Sequence, residues 1–158
     1  MTSRRVPIGQ YGLIGDTRSA ALVAPDGAID WCCLPRFDSP PVFGRLVGGD
    51  EAGWFSITPA EPALPATRAY HDGTTTLATR WHVDGGEVEL ADTMVAVVSG
   101  RFLPGTVLVR RITTRGRAVR VAVRIVPRFG YGRAPARRAA RRRDALVFEH
   151  GDLALAVA

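Results

Sequence analysis

Glycine and proline cut this chain into pieces too short for long helices, and that limits what it can fold into. Seventeen glycines and eleven prolines are spread over 158 residues, 46% of which are hydrophobic. Proline removes a backbone donor and glycine admits positive φ, so each cluster of them ends an element and turns the chain. An apolar chain punctuated in this way builds short strands joined by turns. The length suits one domain with a real core, and the 23% of charged residues fits a globular chain rather than a disordered one.

Periodicity places the strands. Ser19 to Ala24 and Ala28 to Leu34 flank Pro25-Asp26-Gly27, a hairpin signal in which Gly27 takes positive φ. Prolines 35, 40 and 41 keep residues 35–41 out of a regular ladder and make a rigid loop carrying Arg36, Phe37 and Asp38. Residues 42–47 fit one helical turn before Gly48-Gly49, Trp54 to Ile57 is a short strand, and residues 59–65 form a proline-rich connector. Thr75 to Val83 and Glu87 to Asp92 flank Asp84-Gly85-Gly86. Val88, Leu90 and Asp92 fall on one side of the second piece, where Asp92 breaks an apolar row.

Thr106 to Thr114 and Ala118 to Val126 are further strands, with Arg115-Gly116-Arg117 expected as a hairpin loop between them. Val119, Val121, Val123 and Ile125 form the apolar side of the latter. Ala145 to His150 and Asp152 to Ala158 make a last hairpin around Gly151. About ten strands, little helix and no fixed repeat define the class as all-β, an antiparallel β-sandwich (supersandwich-like) over residues 1–158.

Several functions are disfavoured on chemical grounds. No stretch reaches the roughly 18 uninterrupted apolar residues of a membrane helix. The start, Met-Thr-Ser-Arg-Arg-Val-Pro, leads into no apolar signal segment, so a cytoplasmic location is expected. Cys32 and Cys33 are adjacent and point to opposite faces of a strand, which suits reduced packing residues rather than a disulfide. His71, His82 and His150 lack ligand spacing, and neither a metal nor another cofactor is expected. The net charge of +6 is local: residues 133–143 hold six arginines and no acid, and the remainder balances at 15 basic and 15 acidic residues. The Arg133–Arg143 run is expected as a solvated basic loop. A nucleic-acid contact is the alternative, disfavoured because no aromatic residue interrupts the run to stack on bases.

The chain holds no Gly-rich phosphate loop and no Gly-x-Ser-x-Gly elbow. Glycoside hydrolysis needs two carboxylates flanking one bond. Asp30, Asp38 and Glu51 could be imagined in such pairs, although turn-forming and loop hydrogen bonding are the plainer roles for Asp26, Asp30 and Asp38. Trp31, Trp54 and Trp81 could stack on a sugar ring or simply fill the core.

Ordered motifs add a resemblance. Tyr11-Gly12-Leu13-Ile14-Gly15-Asp16, Ala20-Ala21-Leu22-Val23, Asp26-Gly27-Ala28-Ile29-Asp30-Trp31 and Leu34-Pro35-Arg36-Phe37-Asp38-Ser39-Pro40 follow one another, with Phe43 beyond. Thr79-Arg80-Trp81, Asp92-Thr93-Met94 and Pro127-Arg128-Phe129-Gly130-Tyr131-Gly132 come later. Together they resemble the amino-terminal region of bacterial glycoside hydrolase family 15 proteins, the trehalase-like and glucoamylase-like enzymes. Gly130 stands where that family's motif has Asp.

The resemblance implies a β-sandwich packed on a carboxy-terminal (α/α)6 barrel. In that arrangement the barrel supplies the two catalytic glutamates that hydrolyse α-glucosides such as trehalose or maltooligosaccharides. It implies that this chain holds no catalytic residue and ends inside the β-domain. It also implies that the Trp31, Arg36, Phe37, Asp38 loop either touches sugar at the barrel mouth or fixes the domain interface, with Arg36 paired to an acid. A stand-alone carbohydrate-binding module and a basic-patch nucleic-acid binder are the alternatives.

Overall fold

A computed structural model of the protein describes residues 6–63, 66–98, 100–135, 137–142 and 145–158, with side chains outside 96–98, 101–104 and 137–142. The chain begins with β1 (Gly12–Gly15), β2 (Ala20–Val23), β3 (Ile29–Cys33) and β4 (Pro41–Phe43). A single helical turn, α1 (Arg45–Gly48), and β5 (Trp54–Pro59) follow. Then come β6 (Thr67–Tyr70), β7 (Leu77–Val83), β8 (Gly86–Val98), β9 (Arg101–Gly116) and β10 (Val121–Val126). The last part carries β11 (Arg128–Phe129), β12 (Ala134–Pro135), β13 (Arg137–Arg142), β14 (Ala145–His150) and β15 (Leu153–Val157).

The first sheet runs β1-β2-β3-β5-β10, with β4 also paired to β3, and the second runs β6-β7-β8-β9. Smaller ladders join β11 to β12 and β13-β14-β15. Every pairing between the described strands is antiparallel, as the all-β sandwich expectation requires.

Register decides which face is buried. Ile29 and Ile125 both lie opposite Phe55, Trp81 lies opposite Val88, and Leu90 opposite Ile112. Ile14, Val23, Ile29, Phe43 and Phe55 thus meet Leu77, Trp81, Val88, Leu90 and Met94 in one core between the sheets. Full burial of each such side chain is worth about 1.5–3 kcal/mol. Gly27 turns β2 into β3 with φ +77°, and a Cβ there would come within 2.9 Å of the Trp81 ring. Its bare backbone lets the indole of one sheet lie on the turn of the other.

Two side chains from β6 stitch the sheets at their margin. Arg68 Nη1 donates to the Val23 carbonyl at 3.0 Å. The Tyr70 hydroxyl donates to the Leu13 carbonyl at 2.9 Å and accepts from the Leu13 N–H at 2.8 Å.

The structure corrects several expectations. Pro41 opens a strand, tolerated at a first position because no later ladder bond needs its missing N–H. β9 and β10 are not a hairpin: β9 pairs with β8 and β10 crosses to β5 of the facing sheet. Arg117 pins that crossover, its N–H donating to the Gly85 carbonyl at 3.1 Å and its guanidinium meeting Glu61 at 2.5 Å. Strand propensity beside a glycine looked local, yet the apolar side of β10 finds its partners across the sandwich.

The basic run is a strand over Arg137–Arg142 rather than a loop. Its contacts with partners lie outside the described side chains. Cys32 and Cys33 are free and buried, and burial pushes the Cys32 thiol up to about 12. Among the described residues no helix is long and apolar enough to cross a membrane.

Candidate functional site

A bulge in β3 builds the site. Leu22 lies opposite Trp31 but Val23 lies opposite Ile29, so Asp30 is an extra residue without a partner of its own. The extra residue shifts the alternation, so Ile29 and Cys32 both join the core. Asp30 and Trp31 are left to find partners on the other side of the sheet.

Asp30 is buried there and held from two directions. The Tyr11 hydroxyl donates to Oδ2 at 2.9 Å, while Arg45 donates to Oδ1 through Nε at 2.8 Å and approaches it through Nη2 at 2.5 Å. Burial pushes the Asp30 carboxyl above its ordinary value, against the opposing pull of Arg45 and Tyr11. Arg45 also lies 3.7 Å from Asp50 and 5.0 Å from the Trp54 ring centroid.

Trp31 turns towards the second half of the chain. Its ring lies 6.1 Å from that of Tyr131 at 53°. Tyr131 sits in Gly130-Tyr131-Gly132, whose φ angles of 59°, 63° and 84° are all left-handed. Gly132 presses on the turn after α1, where a Cβ would fall 3.0 Å from the Ala52 Cα.

The proline-rich loop goes elsewhere. Arg36 Nε meets Asp38 Oδ1 at 3.0 Å, and both side chains are 72% exposed. Within this chain the acid beside Arg36 is its own loop neighbour, Asp38. Ser39 closes the turn, its N–H donating to the Arg36 carbonyl at 3.1 Å and its Oγ accepting from the Arg36 N–H at 3.2 Å. The Phe37 N–H donates to the Arg18 carbonyl at 3.0 Å while its ring stays exposed. Thr106 Oγ1 donates to the Pro35 carbonyl at 3.3 Å, tying the loop to β9. Arg36, Phe37 and Asp38 stay together, whereas the described ring contact of Trp31 is with Tyr131. A cavity of about 440 Å³ adjoins the loop, lined by Pro35, Ser39, Pro40, Phe129, His150 and Asp152 among others. There the Phe129 and His150 rings stack at 5.1 Å and 11°.

Three carboxylates that stand out in the sequence are committed to arginines: Asp30 to Arg45, Asp38 to Arg36, and Asp92 to Arg110. Asp92 explains the break in the β8 row. Arg110, directly opposite on β9, binds it at 2.8 and 3.1 Å. Arg110 then donates to the Phe55 carbonyl at 2.9 Å and to the Gly27 carbonyl of the facing sheet. Asp26 has the turn role expected of it, accepting from the Ala28 N–H at 3.2 Å. Trp81 is core, with 6% exposure. Among the described residues no group of three or more His, Cys, Asp or Glu could hold a metal.

Tyr11, Arg45 and Tyr131 were not among the site candidates, although Tyr11 and Tyr131 lie in the ordered motifs. A lone arginine in the apolar 42–47 stretch and a tyrosine between two glycines were the available signals.

A family profile described as "Trehalase-like, N-terminal" matches residues 1–155. The chain is similar to a trehalase of Mycolicibacterium smegmatis, 36% identical over 89 residues, covering 56% of this chain and 13% of that protein. It is similar to trehalase 1 of Sulfolobus acidocaldarius, 34% identical over 121 residues, covering 77% and 19%. It is similar to a trehalase of Thermoplasma volcanium, 30% identical over 127 residues, covering 79% and 20%. The chain thus spans a fifth or less of the length of these relatives. No solved structure matches.

Proposed function

We propose, for a chain that belongs to the trehalase-like N-terminal family, the role of non-catalytic β-domain in a family 15 glycoside hydrolase. Its substrates are α-glucosides, trehalose or maltooligosaccharides, and its compartment is the cytoplasm. Hydrolysis falls to an (α/α)6 barrel supplied by the same polypeptide or by a separately encoded one. The observation that carries this reading is the family match over residues 1–155. The relatives named trehalase are several times longer than the matched region, which leaves room in them for a second domain. The commitment of Asp30, Asp38 and Asp92 to arginines supports a non-catalytic role, because a general acid and base need their carboxylates turned to the substrate.

In this reading Trp31 and the Arg36, Phe37, Asp38 loop keep their proposed role at the sugar or at the domain interface. The exposed Phe37 ring and the solvent-facing Arg36–Asp38 pair are available for either. The test compares this chain with the longest polypeptide its locus encodes, assayed on trehalose and maltotriose. Hydrolysis by the longer polypeptide alone is expected. Hydrolysis by residues 1–158 alone, or failure on both sugars of the longer polypeptide and of this chain mixed with a separately encoded barrel, overturns the proposal.

A further inference from the structure

We propose that the outer face of the first sheet, where the turn between β11 and β12 meets it, binds single-stranded nucleic acid. One base stacks on Tyr131, and Arg124, Arg128 and Arg133 hold phosphates. The starting observation is a one-sided charge that extends well beyond the 133–143 run. Residues 93–143 hold fourteen arginines and no acid, while the rest of the chain holds seven arginines against 15 acids. The structure neutralises few of the fourteen. Asp92 takes Arg110, and Glu61 takes Arg117. Among the described residues Arg124, Arg128 and Arg133 have no acidic partner. Guanidinium groups left unmatched in this way attract a polyanion.

Strand alternation gathers these groups. Phe55 and Ile57 belong to the core, so Trp54 and Ser56 face the other way. Val126 and Arg124 lie directly opposite them on β10 and share that outer face. The β3 bulge leaves Trp31 on it too, and the Tyr131 ring reaches it by resting 6.1 Å from Trp31. Phe129 is buried, which turns its neighbour Arg128 away from the core. Arg133 closes the turn, its N–H donating to the Gly130 carbonyl at 3.3 Å. Tyr131 therefore stands between Arg128 and Arg133, and β13, four of whose six residues are arginine, follows directly. Asp30 and Asp50 on this side are already matched by Arg45, and Glu51, beside Asp50, is outnumbered by the three free arginines.

The basic run contains no aromatic residue, but the turn before it supplies one. Tyr131 holds φ +63°, a region in which a side chain is strained and glycine is not. Its ring is 56% exposed, so core packing does not account for tyrosine at this position. An exposed ring among arginines is the arrangement that holds single strands, because every base has a face to stack and phosphates follow on either side. A base reaches such a ring only when it is unpaired, which selects single strands over duplex.

The test is fluorescence anisotropy of the full chain with a labelled oligothymidylate of about twelve nucleotides over a series of salt concentrations. A duplex of the same length and inorganic polyphosphate serve as competitors. The single strand is expected to bind more tightly than the duplex, with a slope of log affinity against log salt of about −2 for three phosphate contacts. Tyr131→Gly relieves the strain, so this variant melts at or above the parent temperature while its affinity falls about tenfold at unchanged slope. Arg128→Gln with Arg133→Gln brings the slope to about −0.7. Arg111→Gln, on β9 of the second sheet, leaves affinity and slope unchanged. Absence of saturable binding at low salt, a duplex bound as tightly as the single strand, or an equal loss on Arg111→Gln overturns the proposal. So does binding that Tyr131→Gly leaves intact and polyphosphate displaces, which would be a plain anion surface. Each of these results leaves the glycosidase reading standing, because that reading depends on sugar hydrolysis.

Discussion

Two arginine–aspartate pairs flank the core-forming sheets, one between them and one on the far side of the first, and they differ in what each arginine must satisfy. Arg110 is buried with Asp92, their side chains 3% and 0% exposed. It uses Nε, Nη1 and Nη2 on Asp92 and two backbone carbonyls, and it lies over the Phe55 ring at 4.6 Å. Arg45 is 21% exposed and shares itself between Asp30 and Asp50. The inner pair joins residues from both sheets and the Gly27 turn; the outer pair fixes one bulge against one helical turn. Burial of both partners makes a lost partner costly, whereas water can replace part of what the outer pair provides.

The largest expected effect is at the inner pair. Arg110→Ala leaves the Asp92 carboxylate buried without a counter-charge and costs about 3–5 kcal/mol in urea denaturation. Replacing both partners, Arg110→Met with Asp92→Leu, recovers much of that loss. A single-variant cost below about 1 kcal/mol would show that the pair does not clamp the sheets. Arg45→Ala is expected to cost about 2 kcal/mol, since solvent reaches the site. Equal losses at Arg45 and Arg110 would erase the distinction between the two sides. Tyr131→Gly works in the opposite direction, raising stability by about 1 kcal/mol through relief of backbone strain.

The pH dependence sharpens the comparison further. Burial pushes the Asp92 carboxyl above its ordinary 3.8, with Arg110 pulling the other way. Between that value and the folded pKa, the native chain keeps a proton that the unfolded chain has released. Rising pH through this window therefore removes stability. The stability of the parent minus that of Asp92→Asn is expected to fall as pH rises above about 4. A flat or rising difference would mean that Arg110 outweighs burial. The smallest effect belongs to the solvent-exposed Arg36–Asp38 pair, where Arg36→Ala changes stability by less than about 0.5 kcal/mol in the same denaturation assay.

Parts of this arrangement were legible beforehand. The Pro25-Asp26-Gly27 hairpin was readable because positive φ at Gly27 is a local requirement. The Val88 and Leu90 row was readable because alternation is local, and Asp92 stood out as its break. Its partner Arg110 was not readable, because the pairing depends on the β8–β9 register across 18 residues. Trp31 was read together with the Arg36, Phe37, Asp38 loop, and its ring contact with Tyr131 was not readable. One inserted residue at Asp30 changed which face it occupied, and its ring partner lies a hundred positions along the chain. The supposed β9–β10 hairpin misread a crossover for the same reason: a glycine between two strands marks a turn and does not say which sheet the second strand enters.

The amino-acid sequence by itself determined the all-β class, most strand positions and the glycine-dependent turns, because these follow from backbone sterics and side-chain period within a few residues. The ordered motifs from Tyr11 to Pro40 also carried the family resemblance. Only the tertiary structure decided which strands share a sheet, where β3 bulges, and which arginine neutralises which aspartate. Those outcomes depend on burying distant residues against one another, and the free energy of that burial exists only once the two sheets have met.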